Sequence, residues 1–431
     1  MNEWKTLTLG ELCTKITDGS HQSPKTVLNS GFPMSSVKDL YHYGIDLDSS
    51  RTISENDYQA LVKQGCKPEV GDVLIAKDGN SALDTVCVIN EPIETVLLSS
   101  VAILRPNPLE IVPEYLKYYL TAPKTIEYLK SNFISGAAIP RVVLRDFKLA
   151  NITYPPLPEQ KAIAHILGKL DDKIELNRRM NQTLEAMAQA LFKSWFVDFD
   201  PVLDNTLAAG NDIPDELQAM AEKRTLVPNS KKLISKAPEL AEGFPSSFVF
   251  NETLGKWIPE GWEDFEVGDI LKRLKISNRY KKDQVNEFGK VPVYEQGADI
   301  LLGYHENEPD VDASINHPAF IFGDHTCVMK LGISPFSISA NVIVLKGNVR
   351  NTIWTYFGLQ GVQSFEEYRR HWMELIVKSI ILPPVELCDK FQELIKPSIQ
   401  QKFETQKQIE TLTQLRDTLL PELISGRVRV K

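Results

Sequence analysis

The chain has 431 residues, 42% of them apolar and 24% charged, with a formal net charge of -9. This is the composition of a folded, polar-surfaced protein, and the length calls for two or three globular units because one core rarely grows beyond about 250–300 residues. It excludes a membrane-spanning chain, since no stretch approaches the roughly 18 consecutive apolar residues of a span, and it argues against a protein that coats nucleic acid through bulk charge.

In chain order, Met1 to Gly10 has neither a basic n-region nor an apolar h-region, so no secretory signal is expected and the protein is expected in the cytoplasm. A first module, opened by Leu9-Gly10-Glu11-Leu12, is expected over residues 1–156. Within it, Gly71-Asp72-Val73-Leu74-Ile75-Ala76-Lys77-Asp78 predicts a buried strand ending in a polar turn, Ser99 to Arg105 a second strand, and Tyr115 to Leu120 a helix. Beyond Tyr154-Pro155-Pro156-Leu157-Pro158-Glu159-Gln160 no proline occurs before Pro201. Ile163, Leu167, Leu170, Ile174, Asn177, Asn181, Leu184, Ala188, Leu191 and Trp195 there form an a/d seam with two polar interruptions, predicting one helix over 157–198. At 1.5 Å per residue it would be roughly 58 Å long.

Residues 199–260, rich in Pro, Asp, Asn and Ser, are expected to be an ordered connector with one helical stretch from Pro214 to Arg224. Residues 198–260 hold eleven Asp and Glu against six Lys and Arg, so most of the net charge sits in this stretch and the modules are only mildly acidic. A second module is expected over 261–384, with His317 to Asp324, Ser339 to Lys346 and Ile353 to Leu359 repeating the strand, strand and helix of the first. A second long helix is expected over 385–424, followed by a tail over 425–431.

The two halves are copies of one unit. A shift of 228 positions maps Ile152 onto Ile380, Pro155-Pro156 onto Pro383-Pro384, Ile163 onto Phe391, Leu167 onto Ile395, Leu184 onto Leu412, Leu191 onto Leu419 and Trp195 onto Leu423. Gap-free agreement over some forty residues points to duplication. Upstream the offset changes, as Leu9-Gly10-Glu11-Leu12 corresponds to Val267-Gly268-Asp269-Ile270, because loop lengths differ on a shared framework.

Reactive chemistry is missing from the pattern. Cys13, Cys66, Cys87, Cys327 and Cys388 form no Cys-x-x-Cys pair, so neither a zinc site nor a disulfide framework is expected. There is no Gly-x-Gly-x-x-Gly, no phosphate-binding Gly-x-x-x-x-Gly-Lys-Ser/Thr and no His-Glu-x-x-His. Tyr154-Pro155-Pro156-Leu157 lacks the amide or carboxylate and the aromatic of an amino-methyltransferase motif, and is read as a helix start. No catalytic residue, metal site or cofactor site is expected in this chain.

The duplication, the start Pro155-Pro156-Leu157-Pro158-Glu159-Gln160, the run Trp195-Phe196-Val197-Asp198-Phe199-Asp200-Pro201 and Leu254-Gly255-Lys256-Trp257-Ile258-Pro259-Glu260-Gly261-Trp262 together resemble the specificity subunit of type I restriction-modification systems. The resemblance covers nearly the whole chain. It implies an α+β protein with two α/β target-recognition domains in a pseudo-two-fold arrangement, joined by a pair of long antiparallel coiled-coil helices. It implies a non-catalytic subunit that recognises a bipartite, asymmetric target in double-stranded DNA and binds two methyltransferase subunits and restriction subunits, with no membrane partner. S-adenosylmethionine, ATP and Mg2+ would belong to those partners. The alternative is a stand-alone homodimeric DNA-binding regulator; a hidden enzyme is the third reading.

For such a protein the densest basic segment, Lys272-Arg273-Leu274-Lys275 continuing through Asn278, Arg279, Tyr280, Lys281 and Lys282, is a candidate DNA contact, against the reading of a solvated loop. In the first module His21, Gln22 and Lys25 sit in a polar turn that needs no further role, and DNA contact is an equal reading; Lys38 follows. Lys77 and Asn80 in one turn, and His325 in the equivalent turn of the repeat, plausibly face the same groove. Arg141 and Arg145, and Arg369 and Arg370, precede the helix starts and serve either as phosphate clamps or as surface charges.

Overall fold

The computed structural model describes residues 4–28, 31–136 and 140–430. The chain divides into two compact units, Met1–Arg179 with Gln406–Lys431, and Met180–Thr405. Each unit therefore contains one module and parts of both long helices.

In the first unit the central strand Val73–Ala76 pairs antiparallel with Val101–Pro106 and with Val86–Val88, and Cys13–Asp18 adds to the other side of Val101–Pro106. Every residue of Val73–Ala76 is buried. Alternation explains the unbroken apolar run: Val73 and Ile75 join the core around Tyr115, Leu116, Phe147 and Leu167, while Leu74 and Ala76 join Leu40, Leu97 and Ile103 on the opposite face. A smaller sheet orders Arg51–Ile53, Phe32–Ser35 and Val96–Leu97, and a two-stranded ladder sets Leu7 opposite Ile152.

The second unit repeats this topology. Its four-stranded sheet orders Leu271–Leu274, Val342–Gly347, Ala319–Gly323 and Met329–Gly332, its small sheet Leu301–His305, Val291–Tyr294 and Ser337–Ile338, and its ladder sets Phe265 opposite Ile380. Phe320 and Phe322 enter one core cluster and Ala319 and Ile321 another, the same alternation as in the first unit. Glycines mark a shared close approach: a Cβ on Gly10 would lie 3.2 Å from the Lys148 carbonyl oxygen, and one on Gly268 3.2 Å from that of Ile376. The duplicated sequence thus folds into duplicated modules.

The long helices run Leu157–Phe196 and Val385–Ile424. Pro155 and Pro156 stop the preceding strand, and Pro158 sits in the first turn, where no backbone N–H partner is lost. Gln160, fully buried, fastens that start: its Nε2 donates to the carbonyls of Pro155 (2.8 Å) and Glu110 (2.9 Å), and its Oε1 accepts the Val112 N–H (2.8 Å). Glu159 is clasped by both Nε and Nη2 of Arg429 in the tail, at 2.5 and 2.7 Å. The second helix has Cys388 in place of Gln160, and Arg350 Nε instead reaches the Pro383 carbonyl at 2.8 Å.

Within each unit the two helices pair antiparallel. In the first, Asp171 meets Arg416 and Asn177 meets Gln408; in the second, Glu185 meets Lys402 and Phe192 packs on Phe391. The connector folds inside the second unit, with helices Asp200–Ala209 and Gln218–Thr225 and a hairpin of Phe248–Asn251 and Lys256–Pro259. Buried Asp204 ties it together by pairing with Arg224 and Lys232. The motif aromatics Trp195, Phe196, Phe199 and Trp262 share one core with Trp354 and Phe391, so the Trp195–Pro201 run is a packing device. Among the described residues no helix is long and apolar enough to cross a membrane.

Candidate nucleic-acid interface

In each module the central strand delivers a carboxylate to a turn that a later segment pins in place. In the first, Gly79 donates its backbone N–H to the Pro140 carbonyl and Val142 donates to that of Lys77, both at 2.9 Å. This brings Arg141 Nε to 3.2 Å from Asp78 Oδ1. In the second, the His371 N–H donates to the Asp324 carbonyl at 2.7 Å and the Trp372 N–H to Asp324 Oδ1 at 3.1 Å. Arg370 Nε then lies 3.8 Å from Asp324 Oδ2.

Around the first turn, Lys77 is 4% exposed and lies between Asp78 (3.2 Å) and Asp18 (3.4 Å), so its charge is spent on holding two carboxylates together. His21 is exposed, with Nε2 3.3 Å from Asp18. Gln22, Lys25, Lys38 and Asn80 are exposed, and the turn at Gln22 is locked by its backbone N–H donating to Ser20 Oγ at 3.0 Å. Arg145, also exposed, pairs with its neighbour Asp146 at 2.8 Å and does not join Arg141.

Around the second turn, Arg273, Arg279, Arg370, Asp324, Asn341 and Trp372 line one cleft of about 380 Å³. Arg273 comes from the sheet-edge strand Leu271–Leu274, and its guanidinium lies 5.6 Å from the Trp372 ring centroid. Among the described residues no carboxylate pairs with it. Partial desolvation and the neighbouring Arg273 charge lower the Arg279 pKa, while Asp310 opposes the shift. Lys272, Lys275, Asn278, Lys281 and Lys282 are exposed along the same segment but do not line the cleft. Tyr280 is buried and stacks on His305 with centroids 4.2 Å apart, so it anchors the basic segment. His325 is half-buried, edge-on to Tyr368 at 4.7 Å. Arg369 is surrounded by Glu366, Glu367 and Glu374 and takes no part in the cleft.

The sequence reading missed Asp18, Asp78, Asp324, Asn341 and Trp372. The strand registers also correct the sequence alignment of these turns by one residue: Ala76 and Gly323 take the same place opposite Val101 and Val342, so Asp324 corresponds to Lys77 and Asp78 lies one position further on.

Residues 1–186 match the family described as the type I restriction modification DNA specificity domain. The matched stretch takes in the whole first module and the start of the first long helix. The chain is 29% identical to the type I restriction enzyme MjaIX specificity subunit of Methanocaldococcus jannaschii, over 74% of this chain and 70% of that one. It is 25% identical to the HindI specificity subunit of Haemophilus influenzae, over 99% of this chain and 100% of that one. Its fold resembles the crystal structure of the type I restriction-modification S subunit of M. genitalium, with a TM-score of 0.55 at 16% identity, covering 98% of this chain and 96% of that one. The family inferred from the Pro-Pro helix starts and the Trp195–Pro201 run is the one these similarities name.

Proposed function

We propose that this chain is the non-catalytic, DNA-reading subunit of a type I restriction-modification complex. Each module, over residues 1–156 and 261–384, reads one half of a split, asymmetric target in double-stranded DNA, and the long helices dock two methyltransferase subunits, which restriction subunits join in the cytoplasm. S-adenosylmethionine, ATP and Mg2+ are supplied through those partners. The observation that carries this reading is the repetition of one sheet topology, each copy following its central strand with a pinned turn where an aspartate meets an arginine, in a chain related over its length to specificity subunits.

A stand-alone homodimeric regulator has no support. Such a protein needs a free helical seam for a second copy, whereas here the seam of each long helix is covered by the other within each unit. The test is to incubate the purified chain with S-adenosylmethionine and DNA, alone and with its partner methyltransferase. Methyl transfer is expected only in the mixture, at a bipartite sequence. Appreciable transfer by the chain alone, or none in the mixture, would overturn the reading.

A further inference from the structure

The two pinned turns have a chemistry more specific than attraction to phosphate. In each, an arginine forms an ion pair with an aspartate through Nε, at 3.2 Å for Arg141 and 3.8 Å for Arg370, while its side chain remains largely exposed, 63% and 78%. Among the described residues no hydrogen bond engages the terminal Nη1 and Nη2 of either arginine, which leaves them available as a planar two-pronged donor. The aspartates are fixed: their side chains are only 17% and 14% exposed, and the Trp372 N–H holds Asp324 Oδ1 at 3.1 Å. At 3.8 Å, Asp324 Oδ2 is too far from Arg370 Nε for a hydrogen bond and keeps its accepting capacity.

A carboxylate beside the arginine repels phosphate, so the pair is poorly built as a phosphate clamp. It suits a base pair that offers acceptors and a donor side by side. In the major groove only a G·C pair does so in the matching sense, with guanine N7 and O6 accepting and cytosine N4 donating. We propose that Asp78–Arg141 and Asp324–Arg370 each read one G·C pair in the half-site of their module, the arginine donating to guanine O6 and N7 and the aspartate accepting from cytosine N4. This rests on the function proposed above and adds the base pair and the residues that read it. The second module reinforces its reader with Arg273, held over Trp372 beside the same cleft. The first module has Lys77 beneath Asp78, in the register position that Asp324 itself takes in the second module.

The experiment co-expresses the full chain, or its variants, with the partner methyltransferase and sequences the methylated sites. The wild-type motif is expected to contain a G·C pair in each half. Arg370→Ala should relax one such position in one half, lowering discrimination there roughly ten- to a hundredfold, and leave the other half intact. Arg141→Ala should relax the other half. Arg370→Lys should not restore the position, because an ammonium lacks the two-pronged geometry. Continued methylation at relaxed sites shows that the variants fold. An unchanged motif with evenly weakened methylation would assign the arginines to phosphate contact and overturn the proposal. So would relaxation at an A·T position, or a lysine variant that keeps the full motif. A wild-type chain that directs no bipartite methylation would instead sink the proposed function, and this reading with it.

Discussion

Burial and pairing decide which charged residues remain available. Lys77 and Arg369 were candidate DNA contacts along with Arg273, yet the first is buried between two aspartates and the second, though part-exposed, is paired with three glutamates. Lys272, Arg273, Lys275 and Lys282 are exposed. Replacing these four by Ala is expected to weaken DNA binding and flatten its salt dependence, by up to about one unit of slope per lost phosphate contact. Binding isotherms at several salt concentrations check this; an unaltered slope would make the segment a solvated loop. The thiols can be ranked the same way. Burial pushes Cys13 and Cys87 up to about 12, and Cys66 and Cys388 are also buried and raised, while Cys327 alone is half-exposed. Iodoacetamide at pH 8 should alkylate Cys327 first in the folded protein, with peptide mass spectrometry as the readout.

Between elements, the first long helix is fastened to its module by more than its apolar seam. Asp171 receives hydrogen bonds from Lys117 Nζ (3.0 Å), Tyr118 Oη (2.8 Å) and Arg416 Nη1 (3.1 Å), joining the module's helix Pro113–Thr121 and the second long helix to the first. Burial by itself would raise the Asp171 pKa; the Lys117 charge and these hydrogen bonds outweigh it and hold the carboxyl below the ordinary aspartate range. A depressed folded-state pKa gives stability that is present above the unfolded value and is lost as the pH falls through the folded one. Asp171→Asn should therefore cost on the order of 2–3 kcal/mol at pH 7, with a lower Tm. The gap between variant and wild type should close on acidification below the normal aspartate pKa. A gap that persists at pH 2 would point to packing instead of charge.

For the whole molecule, the repeat makes its halves exchangeable. Ile163 shares a core with Leu420 and Leu423, while Phe391 packs on Phe192 and Trp195 with ring centroids 5.4 and 6.2 Å apart. The 228-residue shift turns one set into the other, so the first helix carries both halves of the packing code. A fragment ending near Leu203 should therefore dimerise, with a second copy of its helix replacing the missing one. Two identical modules on a two-fold axis demand a palindromic target. Light scattering, and sequencing of sites methylated when the fragment is co-expressed with the methyltransferase, check this. A monomer without methylation, or a fragment that still marks the asymmetric target, would contradict it.

The duplication, the long helices and the modules between them were legible in the sequence because periodicity, proline punctuation and a constant offset are one-dimensional signals. Ile163, Leu167, Leu184 and Leu191 could be placed on one face by counting alone. The pairings at the candidate site were not legible. Asp78 and Arg141 are 63 positions apart and Asp324 and Arg370 are 46 apart, and a charge gives no sign along the chain of whether it will be buried, paired or left free. Only the folded sheet, by pinning each turn to the segment after it, set Arg141 and Arg370 beside aspartates, buried Lys77 in an ion pair and tied Arg369 to neighbouring glutamates at the surface.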